Sequence, residues 1–264
     1  MGAFVASAAL WSGAGAAAKA KPLLPNLVPL PIRTAEIGEQ GVYLSSIPSV
    51  AISGCRLDEM IEEGARRCLR FDTIAANVGS GPLELRYRIE PGLEEAQLVQ
   101  RIYRSDETHV DRRAAGAELH AIHGHLHYED FAVAKLWASN ARGHKLGMKP
   151  VRTSDKNGFC LMDGERMKGS DTPRRYGCTD WEPSLGVDHV TGISSGWADV
   201  YSHELADQYI EISGVDDGYY LLVTKLDPNR TLWERTRKDN TTSTQLRICG
   251  DEVEITGIST ACAD

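Results

Sequence analysis

The sequence predicts an all-β fold, a β-sandwich with long loops and few short helices. Three observations carry this. Apolar and polar residues alternate over short runs, the period of a half-buried strand rather than of a helix. Glycine, proline and Asp-Pro turn signals punctuate those runs at short intervals. The segments 138–157 and 163–195 lack either period and read as long loops, which in a compact domain tend to carry function. With 264 residues, 42% hydrophobic and 25% charged, the chain has material for a core of its own.

Taken in order, residues 1–25 hold a small apolar run and then "AGAAAKA", a small-residue cleavage region, so a leader directing secretion is expected there even though the usual positive start is missing. No other run approaches the length of a membrane span. "KPLLPNLVPLPI" (21–32) is proline-rich, and an extended arm is expected over 26–49, with a single domain over 50–264. "LDEMIEEGARR", between Cys55 and Cys68, is expected as a short amphipathic helix. "LRFDTIAANVGSGPLELRYRI" then alternates around the turn signal Gly79-Ser80-Gly81-Pro82. Further strands are expected in "LVQRIYRS", "ELHAIHGHLHY", "QYIEISG", "GYYLLVTKL", "QLRICG" and "EVEITGIS".

The net charge of -8 argues against nucleic acid as a partner, because a phosphate-binding surface is normally basic. It mildly favours cationic partners such as amines. Six cysteines fall into three local pairs, and none forms the C-x-x-C of a thiolate zinc or redox site. By proximity we expect Cys55–Cys68, Cys160–Cys178 and Cys249–Cys262 to be bonded. The competing reading, buried free thiols in a cytosolic protein, is disfavoured by the leader, since export places cysteines where disulfides persist.

The stretch "HAIHGHLHYEDF" (120–131) holds half of the chain's eight histidines. On one strand, residues two apart share a face, so His123, His125 and His127 can turn onto a single ion while His120 points the other way. Three neutral imidazoles suit copper or zinc, and three protein ligands leave positions open, as in a catalytic site. A solvated strand face is the bland alternative. His123, His125 and Glu129 also spell H-x-H-x-x-x-E, similar to the first metal motif of cupin dioxygenases, but the second motif of that family is missing.

The surroundings point elsewhere. "HGHLHYEDF" resembles the copper motif of the lysyl oxidase family, and four further segments match that family in order. They are "CLRFDTIAANVGSGPLEL" (68–85), "KNGFCLMD" (156–163), "GISSGWADVYSHELADQYIEISGV" (192–215) and "GYYLLVTKLDPN" (218–229). The resemblance is to microbial members and covers about 50–262. It implies a copper-dependent amine oxidase whose organic cofactor, a lysine tyrosylquinone, is made from one lysine and one tyrosine of the chain. Carried over by position, it implies copper ligands His123, His125 and His127, the quinone-forming Tyr201, and the cross-linking Lys156. In animal members one lysine has both the "GHK" and the "FCL" context; here Lys145 has the first and Lys156 the second, with an insertion between. Lys156 is preferred, because a Cys160 disulfide would fix its position.

Asp199 matches an acidic position of the family and is the candidate general base; His203 and His189 are weaker candidates. "WERTRKDNTT" resembles a calcium-binding stretch, with Thr236 where an acid is expected and Asp239 and Asn240 still offering oxygens.

The implied reaction is oxidative deamination of a primary amine, peptidyl lysine or a small amine, with O2 as oxidant and aldehyde, ammonia and hydrogen peroxide as products. No ordinary side chain supplies both an electrophilic carbonyl and a two-electron sink, and a quinone does. A secreted copper-binding scaffold that never matures the quinone is the principal alternative, and a cupin-like dioxygenase a weaker one.

Overall fold

The structure, a computed structural model, describes residues 20–32, 36–37, 42–43, 49–55, 64–88, 95–120, 125–156, 158–178 and 188–256. Their strands are β1 (Leu27–Pro29), β2 (Glu36–Ile37), β3 (Val42–Tyr43), β4 (Val50–Cys55), β5 (Gly64–Phe71), β6 (Thr73–Asn77), β7 (Leu83–Arg88), β8 (Glu95–Tyr103), β9 (His109–His120) and β10 (His125–Tyr128). They continue as β11 (Ala132–Ala138), β12 (Arg152–Thr153), β13 (Glu165–Arg166), β14 (Asp188–Ile193), β15 (Trp197–Tyr201), β16 (Tyr209–Glu211), β17 (Gly218–Leu226), β18 (Thr241–Cys249) and β19 (Glu252–Ile255). No described residue is helical. The chain is all-β, as expected.

The strands form two five-stranded antiparallel sheets, β10-β9-β8-β7-β14 and β12-β11-β17-β18-β19, a four-stranded sheet β1-β6-β15-β13, a three-stranded sheet β16-β5-β4 and the pair β2-β3. The first core joins Leu83 and Leu85 of β7, Tyr128 of β10, Ala75 of β6 and Leu226 of β17 with Phe131, Phe159 and Leu161, so three sheets meet there. The second joins Leu69 and Phe71 of β5 to Leu136, Leu222 and Leu246. Fully burying one such side chain contributes about 1.5–3 kcal/mol.

Of the short helix expected over 57–67, the part up to 63 lies outside the described residues, and Gly64–Arg67 begin β5 instead. The register explains this: Cys68 lies opposite Ser53 and Gly64 opposite Cys55, and the Cys55–Cys68 disulfide, Cα–Cα 5.0 Å, staples two extended strands.

The described residues 20–32 are hydrogen-bonded to strands that follow them in the chain. Leu23 N–H donates to the Tyr103 carbonyl at 2.8 Å, and Leu27, Val28 and Pro29 pair with Asn77, Ala76 and Ala75. The turn between β6 and β7 needs its glycines for this. A Cβ on Gly79 or Gly81 would collide with the backbone of Leu23–Asn26. The leader expected over 1–25 lies mostly outside the described residues.

The run 118–128, expected as one strand, is two. β9 ends at His120, β10 begins at His125, and the pair is antiparallel with His120 opposite His125, Leu119 opposite Leu126 and Glu118 opposite His127. His120, expected to point away, takes the register position opposite His125. His123 lies outside the described residues.

Candidate active site

Tyr201 ends β15, where it pairs with Thr73 of β6. A turn at Gly196 sets the start of the strand. Gly196 has φ +80°, a left-handed conformation that favours glycine, and a Cβ there would collide with the Ser170 hydroxyl. Opposite β15 runs the extended segment 158–164. It is held by Asp163, fully buried, whose carboxylate accepts the Ser194 amide at 2.6 Å, the Ser194 hydroxyl at 2.8 Å and the Arg175 amide at 2.8 Å. The Cys160–Cys178 disulfide, Cα–Cα 5.7 Å, ties the segment to the loop behind it.

This frame brings two of the sequence-predicted residues together. The Tyr201 hydroxyl donates to the Cys160 carbonyl at 2.5 Å. The Phe159 ring meets the Tyr201 ring edge-on, centroids 4.8 Å apart at 87°. Lys156 Nζ lies 5.1 Å from the Tyr201 ring centroid and 5.4 Å from that of Phe159. Lys145 is elsewhere, its Nζ 4.0 Å above the Trp137 ring. Burial, and then the charge of Asp199, raise the Tyr201 phenol well above its ordinary pKa, so the ring carries its proton at neutral pH.

Asp199 lies two residues before Tyr201, hence on the same side of β15. It is 1% exposed, and neither carboxylate oxygen has a hydrogen bond of normal geometry. Burial pushes its carboxyl well above the usual range; the Met162 and Val200 amides and the Lys156 ammonium pull back, and Asp163 adds to the rise. A carboxyl raised by desolvation beside a cation is a feature of functional sites. His203 is committed to Asp72, Nδ1 to Oδ1 2.8 Å, and His189 stacks on Tyr87.

The histidine strand adjoins this pair. Tyr128 and Phe159 exchange backbone hydrogen bonds of 2.8 and 3.1 Å, which lays β10 alongside the Lys156–Tyr201 segment. His127 is partly buried, and Gly158 leaves room for it: a Cβ at 158 would lie 3.0 Å from the His127 Cβ and 3.6 Å from Nδ1. His125 and His127 stand two apart on β10. Sequence reasoning missed Phe159 as the wall of the tyrosine site and Gly158 as the space for His127. The "GF" before Cys160 was the available signal.

A second polar cluster sits where calcium was expected. Glu234 accepts the Leu27 amide at 2.9 Å and the Asn240 side-chain amide at 2.8 Å, and the Asn26 side-chain amide donates to Asp239 at 2.8 Å. Three buried oxygens, Asn26 Oδ1, Asp239 Oδ1 and Asn240 Oδ1, have no hydrogen-bond partner. Burial foremost, with Asp227 adding, raises Glu234 to about 7. Carboxylate and amide oxygens left short of donors are the ligands a hard cation takes. Thr236 spends its hydroxyl on the Lys238 amide. Asn26 was not foreseen; it lies about two hundred residues away in sequence. Of the remaining disulfide expectation, Cys249 is bonded, and Cys262 lies outside the described residues.

Fold and site together define an all-β protein that sets a lysine against a tyrosine ring beside a histidine-bearing strand. Residues 93–258 match the family model described as Lysyl oxidase, more than half of the chain. The chain belongs to the lysyl oxidase family. It is 29% identical over 139 residues to lysyl oxidase homolog 3B of Danio rerio, covering 51% of this chain and 15% of that protein. Over 240 residues it is 27% identical to lysyl oxidase homolog 2 of Gallus gallus, covering 90% and 26%. It is 27% identical over 141 residues to protein-lysine 6-oxidase of Homo sapiens, covering 53% and 30%. The chain thus spans less than a third of the length of these three relatives.

Proposed function

We propose that this protein is a secreted, copper-dependent amine oxidase that converts primary amines, peptidyl lysine or small amines, to aldehydes. The overall reaction consumes one amine, one O2 and one water, and releases aldehyde, ammonia and hydrogen peroxide. The observation that carries the reading is Lys156 Nζ 5.1 Å from the ring of Tyr201, the two residues from which a lysine tyrosylquinone would be built. His123, His125 and His127 would hold the copper, which supplies a redox centre for oxidising the tyrosine. The quinone, once present, supplies the electrophilic carbonyl and electron sink that amine oxidation needs.

The chain's own groups have definable tasks. The Cys160 carbonyl fixes the Tyr201 hydroxyl, so the ring is oriented before any chemistry. Phe159 meets that ring edge-on and restricts its rotation. Lys156 must lose a proton to act as a nucleophile, and its long flexible stem lets Nζ approach the ring. Asp199, buried and without a hydrogen bond of normal geometry at either oxygen, is the nearby group able to take a proton at a carboxylate oxygen and is assigned the general-base role. The Asn26–Glu234–Asp239–Asn240 cluster would hold calcium as a structural ion. The disulfides support export, and no helix among the described residues is long and apolar enough to cross a membrane.

The test is the reaction of purified, copper-grown protein with a hydrazine reagent that reports quinones. The wild type is expected to give the coloured adduct and Lys156→Ala to give none while remaining folded. A normal adduct in Lys156→Ala, with loss of it in Lys145→Ala, would transfer the role to Lys145. No adduct in the folded, copper-loaded wild type would favour a scaffold that binds copper without maturing a cofactor.

A further inference from the structure

The insertion between the two lysine contexts forms a rigid, exposed loop whose chemistry is unlike the rest of the chain. Between Phe131 and Ser154 the sequence holds Lys135, Arg142, Lys145, Lys149 and Arg152 but not one Asp or Glu, in a protein of net charge -8. No ion pair engages Arg142, Lys145, Lys149 or Arg152 among the described residues. At the tip stand two of the largest exposed apolar side chains, Met148 at 94% and Leu146 at 52%.

The loop is not a floppy connection. Asn140 and Leu146 close it with backbone hydrogen bonds, Asn140 N–H to the His144 carbonyl at 3.0 Å and Leu146 N–H to the Ala138 carbonyl at 2.8 Å. The Asn140 side chain accepts the Arg142 and His144 amides, each at 3.0 Å. Val151 N–H returns to the Leu136 carbonyl at 2.7 Å, and Lys145 is laid over Trp137. Gly147, φ +88° with nothing near its missing side chain, turns the tip outward between Leu146 and Met148. An ordered loop that holds a methionine almost wholly in water loses apolar burial that a disordered one could recover by collapse.

We propose that the loop 140–152 is a docking surface for an anionic lipid layer. Arg142 and Lys149 meet the headgroup phosphates, beside Lys145 over Trp137 and Arg152, which donates to the Val151 and Ser213 carbonyls, and Leu146 and Met148 enter the boundary with the acyl chains. The apolar pair selects this occupant over a soluble polyanion. A polysaccharide or nucleic acid would satisfy the cations but offers no apolar layer for Met148. The arrangement of cations around exposed apolar side chains is that of peripheral membrane contacts. It would hold the site of the proposed oxidase close to a surface.

The experiment is sedimentation of the full chain with vesicles of phosphatidylcholine alone and of phosphatidylcholine with phosphatidylglycerol. Binding is expected to the second and to fall as salt is raised. Arg142→Gln with Lys149→Gln should weaken it about 30-fold, since each cation near an anionic surface contributes about fivefold. Met148→Asp, on an exposed side chain and so without effect on the melting temperature, should weaken it at least tenfold. Equal binding to neutral vesicles, unchanged binding by Met148→Asp, or binding to dextran sulfate but not to vesicles would each overturn the proposal.

Discussion

Replacing Asp199 by asparagine separates a stability effect from a chemical one. The carboxyl is 1% exposed, has no hydrogen bond of normal geometry at either oxygen, and is held well above the usual carboxylate range by burial first. The folded chain therefore binds this proton more tightly than the unfolded chain. Between the ordinary carboxylate value and the raised folded value, the native state carries the extra proton, so stability falls as pH rises. For one proton the limiting slope is about 1.4 kcal/mol per pH unit. Below the ordinary carboxylate range both states are protonated and the contribution is complete; above the folded value it is gone. Asn keeps the shape and has no proton to lose, so it removes that slope. Its amide also lacks partners, which costs about 1–3 kcal/mol at any pH. Urea unfolding of copper-free wild type and Asp199→Asn should show a difference between them that shifts toward the variant from pH 4 upward. With the general-base role, kcat should fall by roughly 10²–10⁴ in the same variant. A difference in stability that stays flat with pH would refute the unpartnered burial of Asp199, and an unchanged kcat would remove it from the chemistry.

Three further outcomes are expected. His125→Ala should lose copper, read by metal analysis, and with it the quinone; activity surviving the change would contradict the metal assignment. Gly158→Ala places a methyl 3.0 Å from the His127 Cβ, so copper affinity should drop about 10–100-fold, as when a ligand's support is disturbed, and unchanged metal content at limiting copper would contradict it. Calcium at about 100 times its dissociation constant should stabilise the wild type by about 2.7 kcal/mol, seen as a melting temperature higher by about 5–10 °C. Glu234→Gln should lose most of that rise, and an equal rise in the variant would exclude Glu234 from the site.

What was legible in the sequence was local. Alternation and turn signals placed β6, β7, β17 and β18, and the close spacing of Cys55–Cys68 and Cys160–Cys178 marked pairs that the structure bonds. Long-range pairing was not legible. The histidine run alternates as one strand would, and its division into β9 and β10, with Leu119 opposite Leu126 in the ladder, is a register that periodicity alone does not specify. Gly64–Arg67 carried helix-compatible residues, and a disulfide to a neighbouring strand overrode that local preference. Asn26 joins Asp239 across 213 residues, a contact for which neither end carries a local signal. Lys156 and Tyr201 could be named from their motifs, but their meeting rests on Asp163 and the Tyr128–Phe159 backbone pair.

The central claim is that Lys156 and Tyr201 become one cofactor, and peptide mapping of copper-loaded protein by mass spectrometry tests it most directly. The account predicts a single species joining the peptide of Lys156 to that of Tyr201, absent when copper is withheld during expression. Two separate unmodified peptides from folded, copper-loaded protein, or a species joining Tyr201 to Lys145, would contradict it.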